Sequence, residues 1–311
     1  MKAVFLDANT LGDDVDLTPI TRVTGDLVQH GRTSPDEVVG RIQGFDTVIV
    51  NKVVLGREHF EACPELKTIA VVATGINNID KEAAQAHGIR ILNVTNYGRS
   101  TVAQHTMALI LALATRLLDY DRDVRAGRWG KSDMFCLMDH PIMELEGRTL
   151  GIVGYGDLGQ GVIERAEAFG MKVLLGARPG QPASEVDGYQ RLPLDELLPQ
   201  VDVLSLHCLL TEETRDLVGA RELKMMKNDA LLINTSRGGL VDEQALADAL
   251  RTGDIGGAGF DVLTEEPPRN GNPLLAGDVP NLIVTPHSAW ASREARQRIV
   301  DITARNLANS A

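Results

Sequence analysis

The 311-residue sequence is poor in cysteine: Cys63, Cys136 and Cys208 form neither a C-x-x-C pair nor an even set. This usage argues against the disulfide framework of a small secreted domain and favours a reducing compartment, the cytoplasm. The seven histidines show no H-E-x-x-H spacing, so the sequence predicts no metal site. The first apolar run, Val4–Leu6, ends at the acidic Asp7 and is far too short for a signal sequence or a membrane span.

Positive charge is also scarce, because 31 Lys and Arg stand against 43 Asp and Glu, for a formal net charge of -12. This balance disfavours nucleic acid or an anionic membrane surface as the main partner. The sequence has no internal repeat and no low-complexity tract. A chain of this length is long enough for two domains, each with its own hydrophobic core.

Glycine is plentiful, and Gly154, Gly156 and Gly159 follow an apolar strand candidate at G-x-G-x-x-G spacing. A helical pattern opens directly after them, which is the context of a dinucleotide-binding turn rather than of an ordinary glycine-rich turn. The first glycine permits a tight turn, the second a close approach of a pyrophosphate, and the third close packing of helix on strand. Asp157 and Leu158, inside the motif, belong to the predicted cofactor site.

Short Val- and Ile-rich runs alternate with helix-like stretches on both sides of the linking region. This alternation predicts two doubly wound parallel-sheet α/β domains, a Rossmann dinucleotide-binding domain and a smaller flavodoxin-like substrate domain. We expect residues 1–98 with 290–311 to form the substrate domain and residues 99–289 the dinucleotide-binding domain. The predicted strands are Val4–Leu6, Thr47–Val50, Thr68–Ala73, Ile89–Leu92, Lys172–Leu175, Val201–Leu206, Ala230–Asn234, Gly257–Val262 and Leu282–Thr285.

A strongly apolar run, Thr101–Leu118, links the two halves, and Ser100 or Thr101 is expected to cap it as a single helix. A helix that is apolar on nearly every face must be buried, either between domains or against another subunit. The following segment, Asp119–Met138, is charged with scattered aromatics and is expected to form a surface excursion or an arm toward a partner. So much apolar surface predicts a homodimer.

In open parallel sheets, ligands bind at the carboxyl ends of the strands. In the first half of the chain, this rule makes the Asn51–Lys52 turn and the Ala73–Asn78 turn candidates for substrate binding, with Lys52, Ala73, Thr74 and Gly75 as the named residues. An ordinary polar turn explains Ala73–Asn78 equally well.

In the second half, Arg237, Glu266 and His287 each follow a predicted strand. Each also has an ordinary interpretation when taken alone: Arg237 as a helix-cap donor, Glu266 as a solvated loop acid and His287 as a hydrogen-bonded loop histidine. Together at the edge of a dinucleotide site they fit one reaction, hydride transfer to a carbonyl flanked by a carboxylate. That reaction needs a proton donor, and a carboxylate beside the histidine favours its protonated form. It also needs a fixed cation for the substrate.

Three ordered motifs resemble the signatures of the D-isomer specific 2-hydroxyacid dehydrogenases. They are INTSRGGLVD at Ile233–Asp242, GAGFDVLTEEP at Gly257–Pro267 and TPH at Thr285–His287. The resemblance covers essentially the whole chain. Within the family, Pro286–Ala295 looks most like the glycerate dehydrogenases, also called hydroxypyruvate reductases, which implies reduction of hydroxypyruvate or glyoxylate.

By this resemblance Arg237 is the substrate cation, His287 the acid and base, and Glu266 the partner of that histidine. The other positions it implies are Asp261 on the nicotinamide side, Thr106 where the linking helix passes the nicotinamide, His207 and Cys208 in the loop over the cofactor, Thr235 and Ser236 beside it, and Ala73–Gly75 as a backbone cradle for the substrate carboxylate. Leu209 stands where the family usually has a proline that stiffens the loop.

The cofactor preference is predicted from the end of the second Rossmann strand. An NAD-preferring site has an acid there, but Ala177 is neutral and Arg178 follows it. We therefore expect NADP(H) to be preferred over NAD(H), unless Arg178 points into solvent and NADH suffices.

Several alternatives stay open at this point. One is a dinucleotide-sensing protein similar to the transcriptional corepressors of this family, and another is a dehydrogenase of the family that acts on a different 2-hydroxy acid. Formate-type members pair the histidine with Gln, where this chain has Glu266. The chain also stops at Ala311 without the regulatory extension of many phosphoglycerate dehydrogenases, which makes that activity a weaker expectation.

Overall fold

The computed structural model describes residues 1–310. Contacts between Cα atoms divide the chain into two compact units. Unit 1 comprises Met1–Gly98 and the segment that starts at Ala291, and unit 2 comprises Arg99–Trp290. Each unit has its own sheet, which in unit 1 is parallel throughout and in unit 2 is parallel except for one edge pair, and its own hydrophobic core.

The strands are β1 (Ala3–Phe5), β2 (Leu27–Gln29), β3 (Thr47–Val50), β4 (Thr68–Val71), β5 (Arg90–Asn93), β6 (Thr149–Val153), β7 (Lys172–Gly176), β8 (Ser184–Val186), β9 (Tyr189–Leu192), β10 (Val203–Leu206), β11 (Leu231–Asn234), β12 (Gly257–Phe260) and β13 (Leu282–Val284). The α-helices are α1 (Thr18–Thr24), α2 (Val38–Ile42), α3 (Arg57–Ala62), α4 (Lys81–Ala86), α5 (Arg99–Ala114), α6 (Leu117–Arg125), α7 (Asp157–Ala168), α8 (Leu194–Leu197), α9 (Ala220–Met225), α10 (Glu243–Thr252) and α11 (Arg293–Ser310). Strands and helices alternate through most of both units.

The sheet of unit 1 has the order β2-β1-β3-β4-β5, and every pair in it is parallel. This is the strand order of flavodoxin-like folds, so the structure agrees with the predicted class. The central strands β1, β3 and β4 are buried along their whole length because helices cover both faces. Helix α11 packs on α1, β4 and β5, so the predicted C-terminal helix belongs to unit 1.

The sheet of unit 2 has the order β13-β12-β11-β10-β6-β7-β9-β8. Strands β9, β7, β6, β10, β11 and β12 reproduce the Rossmann order 3-2-1-4-5-6, which confirms the predicted fold class. In the central strand β6, Leu150 lies opposite Val203 on one side and Val173 on the other. The carboxyl ends of these parallel strands meet at one edge, where the predicted site residues lie.

Several elements were not predicted, and the residues show why. Strand β2 lies at the edge of its sheet and is largely exposed, so it lacks an apolar pattern. Strands β8 and β9 form an antiparallel hairpin at the outer edge of the second sheet, so that sheet is not wholly parallel. Their polar sequences, Ser184–Val186 and Tyr189–Leu192, do not show strand periodicity. The short helix α1 was missed as well.

The prediction of one helix over Thr101–Leu118 is wrong in two respects. The helix already begins at Arg99, so neither Ser100 nor Thr101 caps it. It also ends at Ala114, because the Ala114 carbonyl accepts a bond from the amide of Met143 and Arg116 takes a left-handed conformation with φ 54°. Helix α6 then starts a new direction inside the predicted arm.

Helices α5 and α6 were also compared with the length and hydrophobicity that a membrane-spanning helix needs. Among residues 1–310, no single helix is both long and apolar enough to cross a bilayer. Helices α5 and α6 would meet the length and composition needed only as a pair, and they are bent by 58° at the break between them.

Candidate active site

The glycine loop follows β6 and has little room for side chains. A Cβ on Gly154, whose φ is 107°, would lie 2.5 Å from the Cys208 amide nitrogen, and one on Gly159 would lie 2.2 Å from the Gly154 carbonyl oxygen. A Cβ on Gly156, in contrast, would meet no heavy atom of the described residues within 4 Å. The loop is therefore tight on its protein side and open at Gly156, as the approach of a pyrophosphate requires.

Helix α7 starts at Asp157 with Gly156 as its N-cap, and no side chain caps its first amides. Free amides and the positive end of the helix dipole form a site for an anion. Asp157 Oδ1 is paired with Arg99 Nη1 at 3.0 Å, while its buried Oδ2 has no partner among residues 1–310. Pairing with Arg99 offsets the charge that Asp157 would otherwise present to that anion.

The loop after β10 packs on the glycine loop. The His207 amide donates to the Val153 carbonyl at 2.7 Å, and His207 Nε2 lies 2.8 Å from Ser205 Oγ. Desolvation lowers the pKa of His207 to about 4, so its ring is neutral at neutral pH, and its buried Nδ1 has no partner in the described part of the chain. Burial also raises the pKa of the Cys208 thiol to about 11. These features, with the open Gly156, fit a bound dinucleotide.

Buried hydrogen bonds shape the turn after β11. The buried Asn234 accepts a bond from the Ser236 amide at 3.0 Å and donates to the Arg237 carbonyl at 2.8 Å. Ser236 Oγ donates to the Cys208 carbonyl at 2.8 Å, which ties this turn to the loop after β10. Arg237 is exposed, and its Nη1 donates to the Ser236 carbonyl at 2.7 Å. Its remaining guanidinium N–H groups are available to a ligand.

Thr106 lies on α5 against this turn. Its side chain is fully buried, and its hydroxyl donates to the Val102 carbonyl at 2.8 Å and lies 3.1 Å from Thr235 Oγ1. Helix α5 and the end of β11 are thus joined where a nicotinamide is predicted to bind. Both residues are buried, with 8% of Thr235 and 0% of Thr106 exposed.

Asp261 organises the turn after β13. Its carboxylate accepts bonds from Thr285 Oγ1 at 2.5 Å and from the amides of Ser288 and Ala289 at 2.9 and 2.8 Å. Its carbonyl accepts the His287 amide at 2.7 Å. The side chain of Asp261 is almost wholly buried, and through these hydrogen bonds it stabilises the turn that contains His287.

His287 and Glu266 form a hydrogen-bonded pair. His287 Nδ1 lies 2.6 Å from Glu266 Oε2, and the Leu263 amide donates to Glu266 Oε1 at 2.8 Å. Desolvation raises the pKa of Glu266, but the bonds from His287 and Leu263 and the nearby charge of Arg237 outweigh it. The pKa of Glu266 therefore lies below its ordinary value. Three residues predicted as catalytic are thus brought together at one edge of the sheet.

Arg178 lies two residues beyond β7 and is exposed. Its guanidinium has no carboxylate partner among residues 1–310. The amide of Ala177 donates to the Leu192 carbonyl at 2.7 Å, which fixes the backbone just before the arginine.

In unit 1, the predicted substrate turns follow β3 and β4. The buried Asp7 accepts bonds from the amides of Asn51, Lys52 and Val53 at 2.8, 2.6 and 3.2 Å, and so shapes the turn that contains Lys52.

The second turn contains Ala73, Thr74 and Gly75. The Ala73 carbonyl accepts the Val94 amide at 3.1 Å, and Thr74 Oγ1 donates to the Val94 carbonyl at 2.9 Å. Both turns are therefore fixed by bonds to the end of a neighbouring strand.

Sequence reasoning missed three residues that contact the turns of the site: Asp7 at the turn with Lys52, Asn234 at the turn after β11, and His105 at Thr285. Asn234 is the last residue of the buried strand β11, and Asp7 stands two residues beyond the buried strand β1, so a polar residue at the end of a buried strand was the available signal. His105 had only one signal, a titratable side chain within an apolar helix, and nothing in the spacing connects it to Thr285, which it contacts at 2.9 Å.

Comparisons with known proteins found similar sequences over most of the chain. The model of the family described as D-isomer specific 2-hydroxyacid dehydrogenase, NAD binding domain, matches residues 107–289. A glycerate dehydrogenase of Methylorubrum extorquens is 48% identical over 303 residues, 96% of this chain and 93% of that protein. A hydroxypyruvate reductase of Blautia hydrogenotrophica is 39% identical over 311 residues, 99% of this chain and 96% of its own length.

A solved structure is similar over nearly the same span. It is an acyclic imino acid reductase in complex with NADPH and D-Arg, which superposes with a TM-score of 0.83 at 30% identity. The alignment covers 96% of this chain and 94% of that one. The match therefore extends over both units and not only over the dinucleotide-binding fold.

Proposed function

Because the chain belongs to the D-isomer specific 2-hydroxyacid dehydrogenase family, we propose that it reduces a small 2-oxo acid, hydroxypyruvate or glyoxylate, to the D-2-hydroxy acid. The chain is an NAD(P)-dependent oxidoreductase with a Rossmann domain. The observation that carries the proposal is the pair of His287 and Glu266 beside Arg237. The names of the two relatives, glycerate dehydrogenase and hydroxypyruvate reductase, support this substrate class.

A reduced nicotinamide dinucleotide, when bound, supplies the hydride. His287 supplies the proton: Glu266 occupies Nδ1 at 2.6 Å, so Nε2 is the ring nitrogen left for the substrate oxygen. The carboxylate favours the protonated ring because it compensates the positive charge. When the alcohol forms, His287 becomes neutral, and solvent then reprotonates it.

Arg237 binds the substrate carboxylate in this proposal. A guanidinium can make two parallel hydrogen bonds to a carboxylate, which fixes both position and orientation. Lys52 and the backbone of Ala73–Gly75 are proposed as further substrate contacts from unit 1, because both follow strand ends in a flavodoxin-like sheet. We assign substrate binding to residues 1–98 with 290–311 and dinucleotide binding to residues 99–289.

For the cofactor, the proposed contacts come from helix α5 and from the ends of five strands of unit 2, β6, β7, β10, β11 and β12. They are Gly154, Gly156, Asp157, Leu158 and Gly159 around the pyrophosphate, His207 and Cys208 in the loop over it, and Thr106, Thr235, Ser236 and Asp261 toward the nicotinamide. Arg178 is proposed to bind the 2′-phosphate, because no acid repels a phosphate there. NADP(H) is therefore the proposed preference, and the NADPH complex of the similar imino acid reductase supports it.

We further infer a homodimer in the cytoplasm. Met134, Phe135 and Met138 of the arm, residues 119–138, are 60%, 88% and 81% exposed, and apolar surface of this kind is typical of a subunit interface. Three free cysteines support a reducing compartment. The net negative charge disfavours nucleic acid or membrane as a partner.

A panel of 2-oxo acids assayed with both NADPH and NADH tests the proposal. We expect oxidation of the nicotinamide with hydroxypyruvate and glyoxylate, at a higher kcat/KM with NADPH. A protein that binds NADPH tightly but oxidises it with no member of the panel would instead be a dinucleotide sensor, and the proposed reaction would be wrong.

A further inference from the structure

His105 lies in the middle of the apolar helix α5, with its side chain 23% exposed. Its Nε2 lies 2.9 Å from Thr285 Oγ1 and 3.5 Å from Asp261 Oδ1. Thr285 Oγ1 in turn lies 2.5 Å from the same carboxylate oxygen. A histidine on the helix is therefore connected, through one hydroxyl, to the residue that holds the turn with His287.

The direction of each hydrogen bond follows from the hydrogens available. The Asp261 carboxylate already accepts two backbone amides, from Ser288 and Ala289, as an ionised group with only lone pairs would. The one hydrogen of the Thr285 hydroxyl therefore goes to Asp261 at 2.5 Å, rather than to the more distant Phe260 carbonyl at 3.4 Å. Thr285 Oγ1 must then accept at its contact with His105. His105 consequently bears a hydrogen on Nε2.

The turn that this chain of bonds holds is a strained one. His287 has φ 52°, in the left-handed region that residues other than glycine seldom adopt. Such a conformation persists only when several surrounding contacts fix it. Here the contacts come from Asp261, whose carbonyl accepts the His287 amide and whose carboxylate accepts the amides of Ser288 and Ala289.

We propose that His105 is a positioning residue for the reaction, an inference that rests on the proposed role of His287 as proton donor. By donating to Thr285 through Nε2, His105 fixes the Asp261 carboxylate. Asp261 then keeps the left-handed turn in the one arrangement that aims His287 at the substrate. His105 itself contacts neither Glu266 nor His287 through a hydrogen bond in the described residues, so it acts through the other two residues.

Four variants test this chain of bonds by steady-state kinetics. His105→Leu removes the donor, Thr285→Val removes the hydroxyl, and His105→Gln keeps an N–H donor at comparable reach. We expect the first two to lower kcat about ten- to hundredfold, the loss typical of a misplaced catalytic group. His105→Gln should restore most of kcat. The double variant His105→Leu/Thr285→Val should be no slower than either single variant, because both break the same chain.

Two controls match these changes outside the site. His87→Leu removes a histidine bonded to the Ala83 carbonyl in unit 1, and Thr252→Val removes a hydroxyl bonded to the Asp248 carbonyl at the end of α10. Both are expected to leave kcat unchanged. If His105→Leu keeps the wild-type kcat, or if His105→Gln is as slow as His105→Leu, the positioning role is wrong. Additive losses in the double variant would also overturn it.

A second measurement does not depend on activity or on a bound cofactor. Nitrogen-15 NMR of histidine-labelled protein at about pH 8, where an ordinary histidine is neutral, reports which ring nitrogen bears the hydrogen. The His105 signal, identified by its absence from His105→Gln, should show protonated Nε2. A hydrogen on Nδ1 alone, with none on Nε2, would overturn the inference. If the wild-type protein shows this tautomer but has no reductase activity, the proposed function is wrong, while the hydrogen bond from His105 to Thr285 still stands.

Discussion

Glu266 Oε2 lies 2.6 Å from His287 Nδ1, and the other oxygen of the same carboxylate accepts the Leu263 amide at 2.8 Å. The second bond fixes the carboxylate, so its orientation does not depend on the histidine alone. Because these bonds and the charge of Arg237 hold the pKa of Glu266 below its ordinary value, Glu266 stays ionised throughout the neutral range. It becomes protonated only when the pH falls through its lowered pKa.

The first prediction concerns the pH dependence of the reduction. Glu266→Gln removes the negative charge that favours the protonated His287, so the alkaline limb of the kcat/KM profile should move to lower pH. Glu265→Gln, a change to the neighbouring exposed glutamate, should leave the profile in place. An unmoved profile in Glu266→Gln would rule out this role.

The second prediction concerns the substrate carboxylate. Arg237→Lys keeps the charge but loses the two parallel hydrogen bonds, so kcat/KM should fall about ten- to hundredfold. The control is Arg221→Lys, because Arg221 makes a comparable two-bond contact with Asp195 on the surface of the same unit. Near-normal efficiency in Arg237→Lys would mean that the arginine has only a local structural role.

The third prediction concerns the cofactor. Arg178→Ala should raise the KM for NADPH about ten- to hundredfold and change the KM for NADH little, because only NADPH has the 2′-phosphate. Arg165→Ala on α7 serves as the control, since it removes a cation of the same unit that is bonded to the Gly161 carbonyl. If the ratio of the two Michaelis constants does not change in Arg178→Ala, the preference must come from other residues.

The fourth prediction concerns assembly. Light scattering should give twice the monomer mass for the wild type at micromolar concentration, and the double change Phe135→Asp/Met138→Asp should give the monomer mass. Charged groups at the centre of an apolar interface cannot be buried without a partner. Val39→Asp, an acidic change at an exposed valine of α2, should remain a dimer. A monomeric wild type would contradict the proposed dimer.

The fold was predictable because its strongest signals are local. The spacing of Gly154, Gly156 and Gly159 after an apolar strand is determined by contacts within a few residues, and the structure has the expected turn there. The comparisons confirm the predicted family. The roles of the individual site residues remain predictions, although the structure brings Arg237, Glu266 and His287 together.

Other features could not be predicted because they depend on residues far apart in the sequence. The apolar pattern of the sequence continues through Leu117 and Leu118. The helix nevertheless breaks at Arg116, where the amide of the distant Met143 donates a hydrogen bond to the Ala114 carbonyl. The bond between His105 and Thr285 joins residues 180 positions apart. No spacing rule connects such pairs, so only the folded chain reveals them.

The central claim is that this chain reduces a 2-oxo acid with His287 as the proton donor. The most direct measurement compares wild type and His287→Gln by the oxidation of NADPH in the presence of hydroxypyruvate, with NADPH affinity measured separately by fluorescence. We predict turnover by the wild type and a loss of about 10²–10⁴ in kcat for the variant, the usual contribution of a general acid, at unchanged NADPH affinity. Equal rates in the two proteins, or no turnover by the wild type, would contradict the claim.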